Sequence, residues 1–87
     1  MSEASIQGLR VDRSLDVRGV SAPDNYLKAK QLLETLTDNQ VLELYLDEGE
    51  PLRHIPFGLR AEGHEILVSE PANDGVRLLV RKRPPLT

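Results

Sequence analysis

Leu15-Asp16-Val17-Arg18-Gly19-Val20-Ser21-Ala22-Pro23-Asp24-Asn25 reads as a strand that passes through a glycine turn into a helix, and this junction decides the fold. Val11, Leu15 and Val17 alternate with Asp12, Ser14, Asp16 and Arg18, which is the two-residue period of a strand with one face on a core. The pattern predicts a first strand over residues 11–18. Gly19 permits a turn that a side chain would obstruct. Pro23 has the backbone angle of a first helical position. Beyond it Tyr26, Ala29, Leu32, Leu33 and Leu36 recur at spacings of three and four, the stripe of an amphipathic helix ending near Thr37-Asp38-Asn39.

Further along, Val41 to Leu46 reads as a second strand with Leu42, Leu44 and Leu46 on one face, broken by Asp47-Glu48-Gly49. Leu52, Ile55 and Leu59 return to helical spacing. Pro56 lacks the N–H that a mid-helix residue donates, so the second helix is predicted to start near it, with Glu50 to Ile55 as an entry turn and Gly63 as the stop. His64 to Glu70 and Val76 to Lys82 read as two strands joined by Pro71-Ala72-Asn73-Asp74-Gly75. The order is β-α-β-α-β-β. Helices on opposite faces of so small a sheet would each have too little apolar area to cover. Both on one face make an α+β, two-layer sandwich with one core. That core is predicted to hold Leu15, Val17, Leu32, Leu33, Leu36, Leu42, Leu44, Ile55, Leu59, Ile66, Leu78 and Val80.

The chain has 87 residues, enough for a single domain, here expected over residues 11–82 between loose tails at 1–10 and 83–87. A net charge of −3 gives no general attraction to nucleic acid or an anionic membrane, so protein partners are expected. No apolar run approaches the roughly 18–20 residues that span a bilayer, and Met1-Ser2-Glu3-Ala4 lacks a basic start; the expected location is cytoplasmic. With no cysteine, disulfides and thiolate metal sites are excluded. His54 and His64 have no carboxylate framework suited to zinc and read as surface or packing residues. Asp47, Glu48 and Glu50 read first as a solvated acidic loop. No metal and no bound cofactor is expected.

The Leu15 to Asn25 stretch resembles the L-D-x-R-G-x-x-C-P-x-P/N signature of the TusA/SirA/YedF family of sulfur-carrier proteins, with Ala22 where the family has its cysteine. Downstream, Leu46-Asp47-Glu48-Gly49-Glu50-Pro51-Leu52-Arg53-His54-Ile55-Pro56 and Gly63-His64-Glu65-Ile66 look like a branch reading L-D-x-G-E-P-x-x-x-I/V-P and G-H-E-I/L, in which Asn25 replaces the second motif proline. The resemblance covers about Leu15 to Lys82. It implies a mixed four-stranded sheet with two helices on one side. It also implies a relay in which a desulfurase or rhodanese loads persulfide sulfur at position 22 and the carrier passes it to an acceptor protein.

A cysteine at position 22 would sit at the strand-to-helix junction, where the N–H groups of Asp24 and Asn25 and the positive helix end would favour its thiolate. Alanine supplies no nucleophile, and the Ser21 hydroxyl does not ionise near neutral pH. The chain is therefore expected to be a sulfur-relay protein blocked at its loading step. The alternative is a noncatalytic interaction or regulatory module on the same fold. Asp16, Arg18, Gly19, Pro23, Asp24 and Asn25 are expected to support the site, and Lys28, Asp47 and Glu48 to contribute to docking. Lys28, Lys30, Arg77, Arg81, Lys82 and Arg83 raise the question of RNA binding, since the implied fold is similar to the C-terminal domain of bacterial translation initiation factor three. Fold analogy is weak warrant. Three aromatic residues and an acidic total charge rank RNA below protein docking.

Overall fold

The computed structural model describes residues 10–84. Its elements follow the predicted order: β1 Arg13–Asp16, α1 Asp24–Thr35, β2 Val41–Leu46, α2 Glu50–Ala61, β3 Glu65–Ala72 and β4 Gly75–Arg81. The sheet order is β1-β2-β4-β3. β1 runs parallel to β2, pairing Leu15 with Leu44, while β4 is antiparallel to both β2 and β3. The sheet is thus mixed, as the family resemblance implies.

The period-two pattern of β2 is resolved as expected. Leu42, Leu44 and Leu46 are fully buried and join Ala29, Leu33 and Leu36 from the first helical segment, Ile55 and Leu59 from α2, and Val76, Leu78 and Val80 from β4 in one core. Glu43 and Tyr45 point to the other face, where Glu43 accepts from Ser14, Tyr45 and Arg77. Leu15, Leu32 and Ile66 are only partly buried and pack against the core's margin. Ala29 and Leu46, which lie on the predicted apolar faces, and Val76 also belong to the core, beyond the twelve residues predicted for it. Val41 and Leu79 are buried on the sheet's second face.

Four boundaries differ from the sequence reading. β1 is shorter than residues 11–18, because Val17 bonds to Tyr45 and then closes a turn with Val20. α1 ends at Thr35, and Leu36 turns extended to stay in the core. α2 starts at Glu50 rather than near Pro56. Pro51 occupies the first turn, where its missing N–H costs nothing. Pro56 lies inside the helix and is buried, so packing offsets the one helical hydrogen bond it removes. Finally, Pro71 and Ala72 lie in β3 and Gly75 in β4, leaving Asn73 and Asp74 as a two-residue turn. β3 is an edge strand, which tolerates a proline.

Gly63 ends α2 as expected. Its N–H donates to Arg60 and that of His64 to Leu59, the paired bonds of a Schellman cap. Of the expected tails, residues 1–9 and 85–87 lie outside the described residues, while Arg10, Arg83 and Pro84 are irregular. Among the described residues no helix is long and apolar enough to cross a membrane.

Candidate functional site at the helix N-termini

β1 and β2 end at Asp16 and Leu46 on the same side of the sheet, because they run parallel. The loops that follow lead into the N-termini of α1 and α2, so both helix starts converge beyond the strand ends, where open α/β sheets place their ligands. Two braces fix the first loop. The Asp16 carboxylate accepts from the Arg18 N–H at 3.0 Å, Nε at 2.9 Å and Nη2 at 2.7 Å. These bonds from Arg18 hold the Asp16 carboxyl at about 2, from an ordinary 3.8. The same guanidinium donates to the Asn73 carbonyl at 2.6 Å and lies 5.0 Å above the Tyr45 ring centre, tying the loop to the β3–β4 turn. In the second brace the Gly19 N–H donates to Asp47 Oδ2 at 2.8 Å. Gly75 completes the first. A Cβ there would meet the Leu46 carbonyl and stand 3.0 Å from Arg18 Cδ.

Between these loops and the two helices lies a cavity of about 730 Å³. Val20, Ala22, Pro23 and Tyr26 form one side, Pro51, Ile55 and Gly58 the other, and Asp47, Glu50 and His54 its polar edge. Ala22 is exposed and lines it. Asn25 also lines it but is only 3 % exposed. Its Oδ1 accepts the Tyr26 N–H at 2.7 Å.

The cap geometry corrects one expectation. Pro23, not Ala22, is the N-cap, and α1 begins at Asp24. The Asn25 N–H is taken by the Ser21 carbonyl at 3.2 Å, so it does not face position 22. The Asp24 N–H has no acceptor among the described residues. A thiol at position 22 would therefore meet one free donor and the helix end, opposed by the carboxylates of Asp47 and Glu50 across the cavity. One of the two backbone donors expected to favour a thiolate there is thus already used.

Of the other expected site residues, Asp47 bridges the two loops and lines the cavity. Asp16 and Arg18 do not line it; they brace it from behind. Lys28 and Glu48 are exposed outside it. The α2 wall went unread in the sequence. Glu50 and His54, and likewise Pro51 and Ile55, are four residues apart, which puts each pair on one helix face. Starting that helix at Pro56 hid the relationship. Among the described residues, no three His, Cys, Asp or Glu side chains are grouped to hold a metal ion.

The family model described as Sulfurtransferase TusA matches residues 13–82, which takes in both loops, both helices and the whole sheet. This chain belongs to the TusA family. Two relatives are each named "Putative sulfur carrier protein". One, from Archaeoglobus fulgidus, is 26% identical over 81 residues, covering 92% of each chain. The other, from Thermotoga maritima, is 31% identical over 61 residues, covering 70% of this chain and 77% of its own. Position 22, where the motif resemblance sets a cysteine, is an exposed alanine that lines the cavity.

Proposed function

We propose that this TusA-family chain acts in sulfur relay as a docking component that engages a desulfurase- or rhodanese-type donor and a sulfur acceptor without itself holding persulfide. The observation that carries this reading is Ala22: exposed, lining the cavity, and braced in the family's loop architecture, but without a thiol. Persulfide transfer requires a thiolate attacking the donor's sulfur, and this chain has no cysteine. The interaction-module alternative shares the docking face and differs in having no sulfur-relay partner.

RNA binding ranks below both. Arg77 pairs with Glu43 and Glu70, Arg81 and Arg83 pair with Glu65, and Lys30 pairs with Glu62. Lys82 donates to the Leu33 carbonyl. Cations committed in this way contribute little to a phosphate-binding term.

The test is competition. Added in excess to a desulfurase and a cysteine-bearing TusA-family carrier, this chain should slow sulfur loading of the carrier while its own mass stays unchanged. Unaltered loading at every ratio, with no measurable association to donor or acceptor, would remove the relay role and leave the interaction module.

A further inference from the structure

We propose that the cavity beside Ala22 binds a small, largely apolar molecule through a neutral carbonyl or amide oxygen, noncovalently and independently of any sulfur chemistry. Its volume of about 730 Å³ lies within the roughly 300–1,000 Å³ of small-molecule sites, which are mostly apolar with a few placed polar groups. Pro23, Pro51 and Ile55 supply the apolar walls. The placed polar group is Asn25.

Asn25 is the one buried polar residue among those described, 3 % exposed and lining the cavity. Its Oδ1 is used by the Tyr26 N–H, while its Nδ2 has no acceptor among the described residues. A buried amide donor left unpaired is costly and is normally satisfied by a partner. Here the space beside it belongs to the cavity.

The charges around the cavity decide what kind of acceptor fits. Asp47 and Glu50 line it, no lysine or arginine does, and His54 Nε2 sits 3.5 Å from Glu50. An anionic head would face two carboxylates with no lysine or arginine to offset them, which disfavours carboxylates and phosphates. A neutral oxygen can accept from Asn25 Nδ2 without that repulsion.

A matched set of probes tests this on the full chain by NMR titration: phenylacetamide, with a neutral acceptor; phenylacetate, with an anionic one; and ethylbenzene, uncharged and with none. Phenylacetamide should give saturable shifts at the Asn25 side-chain amide, Ala22 and Ile55, and bind about tenfold tighter than either of the others, the value of one directed hydrogen bond. Asn25→Ala should abolish the preference. Because that variant also removes a buried group from the fold, Ala22→Trp, at an exposed position, serves as a second one; it should weaken phenylacetamide by about tenfold or more by filling the mouth. No saturable shift, equal or tighter binding of phenylacetate, or binding indifferent to Ala22→Trp would overturn the proposal. None of these outcomes bears on whether a cysteine at position 22 can be loaded with sulfur.

Discussion

The Tyr26 ring occupies the space where a side chain at Gly58 would be: a Cβ there would lie 2.8 Å from Tyr26 Cε1. Glycine in α2 thus lets α1 approach, and Tyr26 is held in place by its hydroxyl, which donates to Glu62 at 3.0 Å. Gly58→Ala gains up to about 1 kcal/mol of helix propensity, but the overlap costs about 1–3 kcal/mol. The substitution should destabilise the wild-type background and stabilise a Tyr26→Ala background, as read by urea unfolding. The same sign in both backgrounds would show that the ring does not limit the helix contact.

Tyr26 should also titrate late. Burial, and then the Glu62 carboxylate that its hydroxyl donates to, push the phenol from 10.0 up to about 12. The neutral form is the one favoured by folding, so this contribution to stability is complete below about pH 10 and is lost as pH rises through about 12. In a Tyr45→Phe background, which leaves Tyr26 as the sole tyrosine, phenolate absorbance should rise near 12 and move lower with Glu62→Gln. A transition near 10 would contradict the buried, hydrogen-bonded ring.

Asp16 has the opposite sign. Arg18 lowers its carboxyl from 3.8 to about 2. Its ionised form therefore stabilises the fold fully above about pH 4, and that contribution is lost as pH falls through about 2. Asp16→Asn should flatten the change in stability across this interval and, by freeing Arg18, increase the mobility of the β3–β4 turn at Asn73. Identical acid unfolding profiles for the two chains would show that the pair is not a brace.

Strand pattern and turn chemistry make the sheet legible: the pattern over residues 41–46 matches both ends of β2, since Leu42, Leu44 and Leu46 alternate with Glu43 and Tyr45 and Asp47-Glu48-Gly49 cannot continue a strand. Pro56 misled because a local rule about its missing N–H was overridden by burial between Ile55 and the core. That one boundary concealed half the cavity wall. The motif puts Asp16, Arg18, Ala22 and Asn25 on one strand-to-helix segment, but no pattern in the chain could show that Gly19 binds Asp47, that Ser21 consumes the Asn25 N–H or that Asn25 is buried. All three depend on how the turn folds back in three dimensions.

The most direct test of the account restores the missing atom. Ala22→Cys changes one exposed side chain, so the fold and docking face should persist. With a cysteine desulfurase and free cysteine the variant should gain the mass of one sulfur, removable by reductant, while the Ala22 chain gains none. Its thiol should titrate below an ordinary cysteine, because the free Asp24 N–H and the helix start favour the thiolate, and Glu50→Gln, by removing a nearby negative charge, should lower it further. A folded Ala22→Cys chain that accepts no sulfur from either a desulfurase or a rhodanese, or an Ala22 chain that does, would contradict the claim that position 22 is the relay site silenced by alanine.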